Sequence, residues 1–304
     1  MSDPAQARLT ELLAAGRVPG RLLYEAPGQA ERWLAYHRAW APAGRAASTL
    51  AALYDAAFEA AWSALDAGPV TCVGLGCGGG AKDARFFTLG PAGQPARYVA
   101  ADASPELVST ALAAVAAARP DVTGHGVVFD LMAPPPRGEL LGPGEHPRVV
   151  WSCLGILPNV DADHLLPLLA RLARPRDAVL LSTNLSPAPY PDAVPRIVPQ
   201  YDNDQARAWY QGALAALGAA DARLTVGHRA LTPSGAVWRV EATAEVAGQR
   251  LEIFHSDRYL PEAMPALFAQ HGLTLEGAWV AEDREEGTYL LRVTDRPGPA
   301  ASST

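Results

Sequence analysis

The sequence predicts an α/β fold, a doubly wound and mostly parallel sheet carrying a second, discontinuous α+β lobe. Three observations lead there. Apolar β-type runs alternate with helix-like stretches from Val70 onward. The first run empties into a glycine-rich turn, V-T-C-V-G-L-G-C-G-G-G-A-K over 70–82. The alternation then breaks after Asn184, where prolines give way to strand-like runs without helices between them.

Residues 1 to about 60 read as helical, with segments over 5–15 and 30–40 and breaks at Pro19-Gly20 and Pro27-Gly28. Strands are expected near 70–75, 97–102, 125–130 and 148–154, and a fifth over 178–181. Ser104 is a good N-cap and Pro105 a good first residue for a helix over 104–119. Asp161 is placed to cap another over 163–172. Past Asn184, a connector rich in proline leads to a capped helix over 204–217, stopped by Gly218. Runs over 222–231, 236–246 and 250–259 have strand character, with turns at 233–235 and 248–249. The middle run sets Trp238, Val240, Ala242, Ala244 and Val246 against Arg239, Glu241, Thr243 and Glu245, which predicts an antiparallel meander half open to water. A helix over 261–271 and strands around 275–280 and 288–293 return the chain to the main sheet.

This order gives two interleaved units. A nucleotide-type domain spans 60–188 and 259–295, and an accessory substrate-binding domain combines 1–59 with 189–258. The accessory unit is expected to lie as a lid over the carboxyl ends of the strands, and 296–304 to be a disordered tail. Hydrophobic residues make up 49% of the chain, enough for a sizeable core. A net charge of −7 without a basic patch argues against a nucleic-acid partner. No apolar run approaches ~18 residues and the first ten residues lack a signal-peptide core, so no membrane partner and a cytoplasmic location are expected. The expected partner is a small molecule, bound by a monomer. Cys72, Cys77 and Cys153 lack C-x-x-C spacing and no H-x-x-x-H pair occurs, so no disulfide framework and no metal site are expected.

Packed glycines after a strand let the backbone turn sharply and approach a ligand. The first N–H groups of the next helix then face that ligand. Twenty-two residues past Gly80, the run 98–101 ends in Asp102, placed to grip the two ribose hydroxyls of an adenosine-containing cofactor. Two cofactors compete. Gly74-x-Gly76-x-x-Gly79 satisfies the dinucleotide fingerprint, whereas Gly76-x-Gly78-x-Gly80 matches the loop of S-adenosylmethionine-dependent methyltransferases. After the third strand, Asp130 and Leu131 offer an acid for the exocyclic amine of adenine and an apolar cover for its face. The stretch 152–159 after the fourth strand is small and polar, suited to the meeting of substrate and cofactor. No second glycine-rich loop serves a second nucleotide, so S-adenosylmethionine is favoured and the sheet is read as a Rossmann-like methyltransferase domain.

The order of motifs over most of the chain resembles the histidine-specific Nα-methyltransferases of ergothioneine biosynthesis. Gly76 to Lys82 is similar to the family's glycine loop, ending in a lysine that contacts the methyl donor. Tyr98 to Ser104 is similar to its second strand with the ribose-binding acid. Leu154 to Asn159, followed by Asp161, resembles the segment whose asparagine holds the substrate carboxylate, a role the resemblance gives to Asn159. Tyr201-Asp202 resembles the tyrosine that shares that carboxylate, and Tyr24-Glu25 with Gly28 the stretch that bounds the substrate amine. Ser256-Asp257-Arg258-Tyr259 matches a serine, any residue, a basic residue and an aromatic. The resemblance thus implies α-amine methylation of an amino acid, with Tyr24 orienting the amine. Methylation of another small molecule, a noncatalytic cofactor-binding protein and a nicotinamide oxidoreductase are the alternatives.

Two departures bear on specificity. Gly74 stands where the family carries an acid just before the glycine loop. Phe254 stands where it carries a glutamate that, with the serine two residues on, reads the imidazole ring. Residues i and i+2 of a strand share a face, so Phe254 and Ser256 are expected to look into the same pocket. Phenylalanine accepts no hydrogen bond from an imidazole N–H, and Ala242 replaces a larger residue. A roomier, less polar pocket than one built for histidine follows.

Overall fold

A computed structural model describes residues 4–40, 48–65 and 68–294. Four helices come first: α1 (Pro4–Ala15), α2 (Leu22–Glu25), α3 (Gln29–Trp40) and α4 (Ser48–Ser63). Every residue of β1 (Val70–Leu75) is buried, as a strand covered on both faces requires. From it the chain alternates through α5 (Ala81–Leu89), β2 (Ala96–Asp102), α6 (Pro105–Ala118), β3 (Thr123–Val128), α7 (Arg137–Leu141), β4 (Val149–Leu154), α8 (Ala162–Leu172) and β5 (Ala178–Asn184). Ser104 caps α6 by accepting from the Leu107 N–H, with Pro105 opening the helix. Two short turns of helix, including α9 (Val194–Ile197), lead into α10 (Asp204–Ala216). Strands β6 (Arg223–Ala230), β7 (Val237–Val246) and β8 (Gln249–Tyr259) follow, then α11 (Met264–Gln270), β9 (Leu273–Val280) and β10 (Glu286–Val293).

The main sheet has seven strands in the order β3-β2-β1-β4-β5-β10-β9. Its first five are parallel, and β10 inserts antiparallel between β5 and β9. Strand order reverses at β1, which pairs with β2 on one side and β4 on the other. That reversal opens a crevice at the strands' carboxyl ends, where ligands bind in such sheets. One face packs Val73, Trp151, Leu165 and Phe268, the other Phe58, Phe86, Tyr98 and Leu180.

Four differences from the sequence-based expectation have physical causes. Residues 48–59, expected in the accessory unit, belong to α4, which packs on the main sheet. Tyr54, Phe58 and Trp62 recur every fourth residue, so one helix face is aromatic, and Trp62 stacks on Phe86 at 4.6 Å. Strand β3 ends at Val128, which leaves Asp130 in the following turn. Asp161 occupies the N-cap position of α8 without capping it by its side chain. Its carboxylate accepts instead from Arg239 (2.7 Å) and Arg17 (3.3 Å) of the accessory unit.

The fourth concerns the three-stranded antiparallel sheet β6-β7-β8. The hairpin between β7 and β8 turns through Ala247 and Gly248, both with positive φ, as a two-residue loop demands. Three of the four residues of β7 expected to meet water are covered: Arg239, Glu241 and Thr243 are 7–8% exposed, while Glu245 near the strand's end is exposed. Arg239 lies between Asp257 of β8 and Asp161 of the main domain, so the charges are paired with one another and not solvated. The other face packs on α3 and α10 through Tyr36, Trp209 and Leu214. The tail 296–304 lies outside the described residues. No helix among the described residues is long and apolar enough to cross a membrane.

Gly80 opens α5 with φ of +70°, and a Cβ there would stand 2.5 Å from the Ala111 Cα of α6. Gly80→Ala is expected to cost about 2–4 kcal/mol of stability in urea denaturation. Gly93→Ala, at φ +74° with nothing within 4 Å, serves as the control that feels backbone strain alone.

Candidate active site

The crevice at the strand ends is roofed by α3 and by Phe254 of β8. It has two arms of about 400 Å³ each, which share Tyr24, Trp33, Gly76, Gly78, Asn159 and Phe254 in their walls. The arms therefore meet across the glycine loop. Gly76, Gly78 and Gly80 all have positive φ, the conformation in which glycine is unstrained. Trp33 lies where a Cβ on Gly78 would be only 3.0 Å from its ring, and Leu34 lies 3.3 Å from one on Gly79. Helix α3 thus seats directly on the bare backbone of the loop.

The first arm holds Asp102, Asp130 and Leu131, with Leu107 and Phe129 as apolar walls. Asp102 ends β2 and is 9% exposed. Its two oxygens accept from the Gly78 and Ser104 N–H groups, at 3.0 Å each. Burial pushes its pKa up, and those N–H groups pull it back. The carboxylate is therefore aimed by the backbone and keeps lone pairs for a diol. Asp130 accepts from the Met132 N–H at 2.9 Å and pairs with Arg21 at 3.1 Å, a contact between the two domains.

The second arm is lined by Lys82, Asp83, Ser152, Asn184, Tyr201 and Glu286. Lys82 donates to the Tyr54 hydroxyl at 2.5 Å and lies 3.6 Å from Glu286, to which Tyr54 itself donates. Burial lowers the Lys82 pKa and Glu286 opposes it. Asp83 is 3% exposed and accepts from Ser152 and Tyr98, each at 2.6 Å. A Cβ on Gly74 would collide with the Asp83 carboxylate. The carboxylate of Asp83, from the first turn of α5, thus occupies the space that a side chain at position 74 would enter. The sequence signal was an acid directly after Lys82, but only the void at Gly74 gives it meaning.

Tyr24 packs between Trp33 and Trp209, with ring centroids 5.8 and 5.7 Å away. Burial, and then the charge of Asp102, hold its phenol protonated. His37 lines the second arm, its pKa pushed down to about 4 by burial and then by Lys82. Asn159 is half-buried in the short turn Leu157–Asn159 and borders both arms. Tyr201 is 4% exposed, with its hydroxyl 2.7 Å from the Ser256 Oγ. Phe254 closes the wall against Trp209, Tyr210 and Tyr201. Ser256 shares the strand face of Phe254 but is fully buried and lines neither arm, contrary to expectation. Tyr201 stands in front of it. Trp33, His37, Asp83, Asn184, Trp209 and Glu286 were not singled out from the sequence.

Asp161, His255 and Asp257 place possible ligand atoms within 4.8 Å of one another. Arg239 already bonds both carboxylates there, so the positive charge a metal would bring is in place.

No family model and no curated relative matches the chain. Among solved structures it is similar to the CcbJ methyltransferase from Streptomyces caelestis, at 14% identity over 80% of this chain and 89% of that one, with a TM-score of 0.40. It is similar to the 1,6-didemethyltoxoflavin-N1-methyltransferase of Burkholderia thailandensis, solved with bound 1,6-didemethyltoxoflavin and S-adenosylhomocysteine, at 15% identity, 87% and 90% coverage and a TM-score of 0.44. A TehB-like SAM-dependent methyltransferase from Corynebacterium glutamicum is similar at 12% identity, 88% and 100% coverage and a TM-score of 0.40.

Burial raises the Asp83 pKa above that of an unfolded aspartate. Such a group favours the fold fully below the unfolded pKa and loses that contribution as pH rises through the folded one. Asp83→Asn is therefore expected to keep or raise stability at neutral pH. It should also flatten the fall in stability from pH ~4 upward, as read by urea denaturation across pH.

Proposed function

We propose that the chain transfers a methyl group from S-adenosylmethionine to the α-amine of a free amino acid or close derivative, in a pocket less polar than one for histidine. The observation that carries this reading is the pair of arms meeting at the glycine loop. One presents a backbone-aimed carboxylate suited to a ribose, the other an amide, a phenol and an aromatic wall.

Bound S-adenosylmethionine supplies an electrophilic methyl group on a sulfonium. Asp102 takes the ribose hydroxyls, and Asp130 with Leu131 takes the adenine. Lys82 and Asp83 give the far end of the loop one positive and one negative group, matching the ammonium and carboxylate of the cofactor's amino-acid end. Asn159 and Tyr201 hold the substrate carboxylate, which fixes the amine in line with the methyl group and removes the entropic part of the barrier. Tyr24 stays a phenol and orients the amine by hydrogen bonding. It takes no proton, and neutral His37 is too weakly basic to do so. Tyr24 and Trp33 border both arms, where aromatic rings favour positive charge.

Incubation with S-adenosylmethionine and a panel of amino acids, followed by mass spectrometry, is expected to show α-N-methylation of apolar or aromatic amino acids ahead of histidine. Phe254→Glu should move that preference toward histidine. Asp102→Asn should weaken S-adenosylhomocysteine binding by about ten- to a hundredfold in calorimetry. Methylation confined to compounds without an α-amine would reject the substrate claim.

A further inference from the structure

Arg258, near the end of β8, is fully buried. Its guanidinium donates to the Leu185 carbonyl (3.2 Å), to Gln200 Oε1 (3.1 Å) and to the Tyr201 hydroxyl. It also lies 5.2 Å from the centre of the Tyr201 ring, and its Nε has no partner among the described residues. All three acceptors are neutral. Among the described residues no carboxylate oxygen comes within 4.0 Å of it. Gln200 stands between Arg258 and Glu285, donating to Glu285 at 2.8 Å, and Glu285 also pairs with Arg196. Arginine keeps its proton at any accessible pH. A buried charge lacking a counter-charge is strongly unfavourable, so this site is short of an anion.

Tyr201 leads from that charge to the cleft. Its oxygen accepts from Arg258 and from Asn184 Nδ2 (3.3 Å), which uses both lone pairs. Its own proton is then left to donate, either to Ser256 at 2.7 Å or into the arm that Tyr201 and Asn184 line. A phenol held by a guanidinium is a stronger donor than a free one. A carboxylate in that arm would accept the proton and supply the missing counter-charge.

We infer that Arg258 is a positioning residue that makes this pocket select substrates with a carboxylate head group, its charge reaching them through Tyr201. The inference rests on reading the second arm as the substrate site. It deepens that reading by assigning the selectivity to the acid group and to a residue behind the wall.

The test compares a substrate amino acid with its methyl ester, by calorimetry in the presence of S-adenosylhomocysteine and by initial rates. The wild-type protein is expected to bind the acid at least about tenfold more tightly than the ester. Arg258→Met should bring that ratio close to one and raise KM for the acid more than it lowers kcat, and Arg258→Lys should restore part of the ratio. Should Arg258→Met fail to fold, Tyr201→Phe leaves the arginine in place and should collapse the ratio equally. Equal binding of acid and ester by the wild-type protein overturns the inference. So does a ratio that survives in folded variants. Preference for the acid without methylation of its α-amine would reject the proposed reaction and keep this inference, and amine methylation without acid preference would do the reverse.

Discussion

The absence of side chains at Gly74, Gly76, Gly78, Gly79 and Gly80 is the constraint on which the site depends. Different parts of the chain occupy the places where Cβ atoms would have stood. Ile156 from the loop after β4 fills the place beside Gly76, Trp33 of α3 lies over Gly78, and Ala111 of α6 backs Gly80. Asp83 enters the space at Gly74. One bare stretch of backbone thereby brings the main sheet, its helices and the accessory domain into contact at a single point. It also frees the Gly78 N–H to aim Asp102, so the same lack of side chains that joins the domains orients the carboxylate between them. Packing at these places is backbone against side chain, which leaves little room for adjustment.

The parallel half of the fold was legible because its signals are local. Buried strands read as apolar runs, Ser104-Pro105 marks a helix start, and an acid ends β2 where the crevice opens. Asn159, Tyr201, Tyr24 and Phe254 were found by motif order, and all four line the cleft. The groups that escaped notice depend on distant partners. Tyr54 of α4 and Glu286 of β10 both meet Lys82, which the glycine loop does mark, but nothing in the sequence near either of them states that they converge on it. The polar side of β7 was misread for the same reason. Alternation shows that two faces differ in polarity, but it does not show that Asp161 will come from another domain to cover one of them.

That cover ties the three-stranded sheet to the head of α8. Arg239 bonds Asp257 on its own sheet and Asp161 at the head of α8, whose preceding turn carries Asn159. The bidentate grip of Arg239 on Asp257 is buried and well satisfied, the arrangement in which an ion pair fixes geometry. Arg21 on Asp130 makes a second contact between the N-terminal segment and the main sheet, also in the wall of the first arm. The first arm is thus bordered by two ion pairs that join distant parts of the chain, and Asn159 sits two residues before one of them.

The chemistry of the cleft wall shows where selectivity can reside. A polar ring in a closed pocket needs an acceptor for each N–H, because an unmet group costs its full desolvation. Phe254 offers none, and its neighbours Trp209, Tyr210 and Tyr201 present rings to it. This wall can reward apolar area, but apolar contact separates one side chain from another only weakly. Hydrogen bonding discriminates far more sharply, and on this side of the cleft it is concentrated in the buried set of Tyr201, Ser256, Asn184 and Arg258. With Phe254 in the wall, sharp discrimination on this side of the cleft falls to those hydrogen bonds and not to apolar contact.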